Sequence, residues 1–330
     1  MSKVLITGGA GFIGFHLATA LVADGHAVDL LDDFSRGVGD AELKALLDRP
    51  SVRCLTVDLR DHDKVVALDD DYDHIYHLAA IIGVAHVMSR PYAVLADNVA
   101  MLANVIELAR RQKHLARLLF TSTSEVMVGS LQHLDLPVPT PETAVVALPD
   151  LAHPRTSYML SKLYGEAMCL QSGLPVTIIR PHNFYGPRMG MSHVVPELLA
   201  KAHALPAGGV LPVASVEHRR AFCYIDDAVT LMRALMDKPA GLGGVFNIGN
   251  QDQEISIGDL AQVLIDTVGK GLSIQAGEVH PGSPSRRCPD MTKTVAATGL
   301  SPVVSLQDGV ARTYAWYRAN VFDGKGPSAK

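Results

Sequence analysis

Short apolar runs recur through the first half of the chain, each followed by a turn and a stretch with helical spacing of its apolar positions. Residues 4–7, 27–31, 52–57, 74–78, 117–122 and 176–180 are strand-length, and they are often continuously apolar rather than alternating. A strand that is apolar on both faces needs cover on both, which is the signature of a parallel sheet between two helical layers. Strands alternating with helices and joined by right-handed crossovers predict an α/β fold with a doubly wound parallel sheet.

The clearest helix covers 92–112, opened by Pro91 at a position where proline is tolerated. Val94, Leu95, Val99, Leu102, Ile106 and Leu108 spread its apolar surface beyond one narrow stripe, so it needs two partners. The sheet is one; a second subunit or a covering loop is the other. Past Pro181 the texture changes. Prolines and glycines become frequent and break the helices, which predicts a smaller, irregular lobe over the carboxyl edge of the sheet. The expected division is a dinucleotide-binding domain over 1–180 and a substrate lobe over 181–330. The segment 221–250 is expected to return to the sheet through a helix at 226–236 and a strand at 245–248.

Directly after the first strand stands Thr7-Gly8-Gly9-Ala10-Gly11-Phe12-Ile13-Gly14, opening a helix. Gly8 permits a tight turn, Gly11 a close approach of backbone to pyrophosphate, and Gly14 close packing of helix on strand. The phosphates would lie on the helix N-terminus, where unpaired N–H groups favour an anion. The second strand ends in Asp32, near the spacing of about twenty residues at which a carboxylate meets the ribose hydroxyls. A carboxylate there repels a 2′-phosphate, so the expected cofactor is NAD rather than NADP, although Arg36 could reach a phosphate. Asp58 and Leu59 are candidates for the adenine. Leu78, Ala79 and Ala80, after His77, are small enough at the end of strand four to leave room for the cofactor. Together these features predict a Rossmann domain.

Tyr158 and Lys162 stand four apart at the start of a helix pattern, hence on one face. A phenol with a pKa of about 10 is too weak a base at neutral pH; a neighbouring ammonium favours its ionised form. Upstream, the strand end Phe120-Thr121-Ser122-Thr123-Ser124-Glu125 presents hydroxyls and a carboxylate to the crevice where such sheets bind ligands. Thr123 or Ser124 could bond a hydroxyl under oxidation, and Glu125 could transfer a proton.

Composition narrows the picture further. The net charge of −5 gives no basic footprint for nucleic acid or a membrane surface, so an anionic ligand must rely on local arginines. The four cysteines are widely spaced, and the 14 histidines form no paired ligand motif, so no disulfide framework and no metal are expected. The opening apolar run is too short for a signal peptide core, and the sequence suggests no membrane span. A cytoplasmic enzyme is expected.

The glycine loop, Asp32, His77-Leu78-Ala79-Ala80, Tyr158 with Lys162, and Arg180-Pro181-His182-Asn183-Phe184-Tyr185-Gly186-Pro187-Arg188 occur in the order seen in one family. The chain resembles the extended short-chain dehydrogenase/reductases, the NAD-dependent epimerase/dehydratase family, along nearly its whole length. The resemblance implies transient oxidation of a nucleotide-sugar, probed at a 4-keto stage. It implies that Asn183 and Arg188 lie at the sugar-nucleotide and Arg220 beside the sugar or its phosphates. It places Arg286 and Arg287 at the diphosphate or nucleoside. It also implies a UDP-linked substrate and a homodimer built from the helix at 92–112 and a second at 157–171. Thr123-Ser124-Glu125 is similar to UDP-glucuronate decarboxylases, in which an arginine equivalent to Arg220 assists, so decarboxylation is the leading reading. A 4-epimerase comes next and a dehydratase after it. A regulator that had lost its chemistry is disfavoured, because both Tyr158 and Lys162 are present. Met127 stands where the family usually carries tyrosine.

Overall fold

A computed structural model describes residues 1–279 and 284–324. Seven parallel strands form the central sheet: β1 (Lys3–Thr7), β2 (Ala27–Leu31), β3 (Val52–Leu55), β4 (His74–His77), β5 (Arg117–Thr121), β6 (Val176–Pro181) and β7 (Val245–Ile248). Their spatial order is β7-β6-β5-β4-β1-β2-β3. The chain winds outward from β1 to β3, then crosses back to β4 and winds the other way. That reversal opens a crevice at the carboxyl ends of β1 and β4, where doubly wound sheets take their ligands.

The apolar runs became strands because both faces are covered. All five residues of β5 are buried, as are five of the six in β6. On one face lie α1 (Phe12–Ala23) and the helix Ile225–Asp237, packed with Val4, Ile6, Leu17, Leu30, Tyr76, Leu119 and Ile179. On the other lie α2 (Pro91–Arg110) and α3 (Thr156–Gln171), with Leu5, Ile75, Leu102, Val105, Leu118, Phe120 and Ile178.

By length and composition α2 is apolar enough to cross a membrane, which revises the expectation that the chain holds no such segment. Its Val94, Met101, Leu102, Val105 and Ile106 are buried in the layer between sheet and surface. The polar Asn98 on its inner side is also satisfied there.

The remainder of the chain adds small sheets over the carboxyl edge. The strand Arg219–Ala221 pairs antiparallel with Glu254–Ser256 and parallel with Arg286–Arg287, and this sheet holds the segment reaching Arg287 over the crevice. Strand β7, by contrast, pairs with β6 in the main sheet.

A buried ion pair ties the layers beneath that edge. Arg180 donates from Nε and Nη2 to the two oxygens of Glu166, each at 2.8 Å, and Ser122 Oγ donates to Glu166 Oε1 at 2.5 Å. Arg180 Nη1 also reaches the Glu142 carbonyl at 3.3 Å and Met127 Sδ at 3.7 Å. Removing one partner strands a buried charge, which costs about 3–5 kcal/mol. Arg180→Met is therefore expected to lower unfolding free energy by about that amount. The double variant Arg180→Met/Glu166→Leu should recover a large part of it, as read by urea denaturation.

Candidate functional site

The crevice begins at the turn after β1. Gly8 has φ +72°, and a Cβ there would come within 3.0 Å of Ala79 N, on the segment leaving β4. A Cβ at Gly14 would collide with the Gly8 carbonyl and stand 2.8 Å from Gly9 Cα. Both positions therefore need glycine, one for conformation and one for the closeness of helix to turn. Gly11 caps α1 in extended conformation with no side chain over the helix end, and Phe12 and Ile13 form the first turn behind it. This cradle fits a pyrophosphate.

Asp32 sits at the end of β2, its Oδ2 accepting from Ala10 N at 3.0 Å and its Oδ1 from Phe34 N at 2.9 Å. Burial raises its pKa, and these two N–H groups counter the shift. Each carboxylate oxygen retains a lone pair for a ribose diol. The donor set fits NAD on geometry as well as on sequence. Arg36, on the loop after Asp32, donates to the Ile82 carbonyl at 3.3 Å across the same rim.

Leu78, Ala79 and Ala80 lie half-buried after β4, and Ala79 N donates to Thr7 Oγ1 at 3.2 Å. Asp58 is turned toward Arg60, whose Nη2 donates to it at 2.7 Å, and this cation holds the carboxyl below its ordinary range. Leu59 beside it is buried. Of this pair, the acidic side chain is committed to a surface ion pair.

Beyond the end of β5 the chain enters a single 3-10 turn, Ser124–Met127, capped by Thr123, whose Oγ1 accepts from Glu125 N at 3.2 Å. The cap fixes the direction in which Glu125 leaves the turn, while Ser124 is buried within it. The Thr123 hydroxyl also lies beside Tyr158 on α3 and favours its ionised form. Burial raises the Tyr158 phenol well above its ordinary value, and Glu125 pushes the same way; Thr123 and Arg36 oppose them.

One turn on, Lys162 is buried, with Nζ donating to the Thr121 carbonyl at 2.8 Å and lying 5.0 Å from the Phe120 ring. Desolvation brings its pKa down to about 8. Thr123 and Tyr158 thus lie together on the β5–α3 side of the crevice, with Lys162 one helical turn away and bound to the backbone of Thr121. Asn98 of α2 bonds both Ile81 backbone groups and the Ser161 hydroxyl, and so holds the rim of the crevice to the helix that carries Lys162. Sequence reasoning missed this residue. Its signal is an asparagine inside the apolar pattern of α2.

A cavity of about 430 Å³ adjoins this group. Glu125, Met159, Thr156, Arg155, His153 and Arg287 line it. Arg155 and His153 were not anticipated, because they lie in a loop of no evident periodicity. The arginines divide in a way the sequence does not show. Arg287 enters the cavity, and the Glu125 carboxylate stabilises its charge against the burial that lowers its pKa. Asn183, at φ +42°, donates to the Ala221 carbonyl at 2.8 Å and accepts from Arg287 Nη2 at 3.4 Å.

Arg220 is instead buried against backbone, donating to the carbonyls of Arg219, Pro284 and Ser285. It braces the segment that delivers Arg287. Arg286 is bound in a two-pronged ion pair with Glu254, at 2.7 and 2.8 Å, on a half-exposed surface. Arg188 pairs with Asp40 at 2.8 Å and lies over the Phe15 ring, joining α1 to the loop before residue 41. The structure brings neither Arg188 nor Arg286 to the cavity.

The NAD dependent epimerase/dehydratase family matches residues 4–249. The chain belongs to that family. It is accordingly an NAD-dependent enzyme. A UDP-N-acetyl-α-D-glucosaminuronate decarboxylase of Bacillus cytotoxicus is 32% identical over 96% of this chain and 98% of the relative. A UDP-glucuronic acid decarboxylase of Xenopus tropicalis is 34% identical over 96% of this chain and 72% of its own length. Among solved structures, a UDP-glucose 4-epimerase of Thermotoga maritima superposes with a TM-score of 0.82 at 26% identity, covering 96% of this chain and 98% of the other. A dTDP-glucose 4,6-dehydratase of Streptomyces venezuelae, solved with NAD bound, gives 0.82 at 26% identity, covering 96% and 97%. The family's cofactor is NAD, and the cradle formed by Gly8, Gly11, Gly14 and Asp32 fits it.

The lowered pKa of Lys162 has a consequence for stability. Between the folded pKa of about 8 and the unfolded value near 10.5, the unfolded chain holds a proton that the folded chain has lost. Stability therefore rises with pH across that window, and below it the full cost of the buried ammonium is present. At pH 7 that cost is about 3 kcal/mol. Lys162→Met without NAD is expected to be more stable than the parent at pH 7, by on the order of 1–3 kcal/mol. The gap should shrink as the pH is raised from 8 toward 10 in chemical denaturation, with turnover lost throughout.

Proposed function

We propose that this enzyme decarboxylates a nucleotide-linked uronate, UDP-glucuronate or a close analogue, by transient oxidation at the sugar's C4. One observation carries the reading: two guanidiniums, Arg155 and Arg287, line the same cavity as Glu125, next to the Thr123–Tyr158 pair. A neutral sugar gives two neighbouring cations hydroxyl acceptors but no anion. A carboxylate matches them in charge and in fork geometry. The names of the two relatives, both decarboxylases of acidic UDP-sugars, agree with it.

When bound, NAD would accept hydride from the sugar and later return it. Tyr158 takes the proton of the reacting hydroxyl, helped by Thr123 and by the ammonium of Lys162. Oxidation at C4 leaves the carboxylate β to the new carbonyl by connectivity, and Arg155 and Arg287 hold it so that the bond to be broken can align with the carbonyl. As the carbon–carbon bond breaks, its electron pair passes into the carbonyl oxygen, where the Tyr158 and Thr123 hydroxyls can donate. Glu125, on the carboxylate side, is placed to relay a proton from solvent to the carbon left behind.

The test is mass spectrometry of the product after incubation with NAD and UDP-glucuronate. A product lighter by one carbon dioxide is expected, and Tyr158→Phe should slow its appearance by about a hundred- to ten-thousand-fold. An unchanged mass with a new stereoisomer by NMR would replace this reading with a 4-epimerase; loss of water would make it a dehydratase.

We further propose that the enzyme works as a cytoplasmic homodimer through α2 and α3. A groove of about 370 Å³ lined by Leu148, Leu151, Leu160, Leu163, Tyr164 and Ala167 runs along the outer face of α3, and its apolar lining supports a second copy there. Tyr164→Glu is expected to yield a monomer by sedimentation velocity; an unchanged dimer would remove α3 from the interface.

A further inference from the structure

His182 lies between the main sheet and the arginine cavity, and its hydrogen bonds determine which ring nitrogen carries the proton. The ring is buried, with Nε2 3.2 Å from Asn247 Oδ1. Asn247 Nδ2 donates to the carbonyls of Thr140 at 3.1 Å and Asp290 at 3.2 Å. Those two acceptors fix the amide, so its oxygen faces the ring and His182 must be protonated on Nε2. Nδ1 then carries a bare lone pair, and this buried atom has no hydrogen-bond partner among the described residues.

Arg287 presents the complement. Its Nε is also buried without a partner among the described residues, while its Nη2 donates to Asn183, the residue after His182. The two chain segments meet at Gly249, where a Cβ would stand 2.9 Å from His182 Cβ and 2.7 Å from Pro289 Cγ. A bare acceptor and a bare donor, buried in one neighbourhood, are each costly left alone and satisfied together.

We infer that His182 is a positioning residue: its Nδ1 accepts the Nε–H of Arg287 when a ligand draws that arginine into place, and so aims the remaining guanidinium N–H groups at the ligand's carboxylate. Burial and the nearby Arg287 charge bring the His182 pKa down to about 3, so the ring stays neutral and remains an acceptor across the working pH range. The inference rests on the proposal that Arg287 binds a carboxylate.

The test measures affinity of the NAD-loaded enzyme for UDP-glucuronate and for UDP, which lacks the carboxylate, by calorimetry. His182→Asn retains a polar atom where Nδ1 stands but loses the bond to Asn247. His182→Gln retains a donor where Nε2 stands but loses the Nδ1 acceptor. If the ring aims Arg287, the preference for UDP-glucuronate over UDP falls about tenfold in His182→Gln and much less in His182→Asn, with UDP affinity unchanged in both. Any result in which the asparagine variant is not the better of the two overturns the inference; a ring that serves only Asn247 gives the reverse order. Arg287→Gln separates the two levels: if it leaves the preference intact, the carboxylate reading itself has failed.

Discussion

The bidentate contact between Arg180 and Glu166 holds together the three elements on which the site is built. Arg180 is the penultimate residue of β6, Glu166 sits one turn after Lys162 on α3, and Ser122, donating to the same carboxylate, directly follows β5. Every catalytic group named above leaves one of these ends. Thr123 and Glu125 follow Ser122, Tyr158 and Lys162 precede Glu166, and His182 and Asn183 follow Arg180. A salt bridge in this position gives little net stability over an apolar packing of similar shape, because both charges must be stripped of water. What it adds is register, since a planar fork meeting a planar carboxylate tolerates small shifts poorly. The thioether of Met127, at the position where the family usually has tyrosine, closes the remaining side of the guanidinium without offering a competing charge.

The same contact explains where the sequence was legible and where it was not. Continuous apolar runs are a direct record of burial on both faces, so β1 to β6 could be read within two residues at each end. The glycine turn was legible because position fixes its meaning: Gly8 and Gly14 are each demanded by a neighbour only a few residues away or on the adjoining strand. Glu166 was invisible. A glutamate in a helix usually faces water, and nothing local distinguishes one that meets an arginine across the sheet.

The arginines failed to resolve for a related reason. Motif resemblance gave a set of candidates but not their directions, which depend on carboxylates distant in sequence. Glu254 claims Arg286 and Asp40 claims Arg188, while the adjacent Arg287 passes to the other side of its short strand and enters the cavity. Strand alternation alone puts neighbours on opposite faces; choosing which face is the cavity required the pairing of Arg219–Ala221 with both of its neighbours. Arg220 shows the same limit, its guanidinium donating to the backbone carbonyls of Arg219 and Pro284, which no local pattern announces.

The electrostatics of the cavity bear on specificity as much as on binding. Arg155 and Arg287 repel one another, and burial further disfavours the Arg287 charge, with Glu125 the compensating anion on the cavity wall. Asp150 lines the same cavity at its exposed edge, so two carboxylates face the two guanidiniums, and Arg287 is the cation for which burial makes a missing partner expensive. An acidic sugar brings the guanidiniums a charged partner inside the cavity; a neutral one of the same shape displaces their water and offers only hydroxyls. Discrimination between uronate and hexose therefore needs no steric barrier, because only the uronate replaces the water lost by the guanidiniums with a charged acceptor. The same field acts on the chemistry, since the positive charge that favours binding loses its partner when the carboxylate departs as neutral carbon dioxide. Residues that aim Arg287 thus work against the departure of the group they hold, and Glu125, the opposing charge, limits how tightly that group is held.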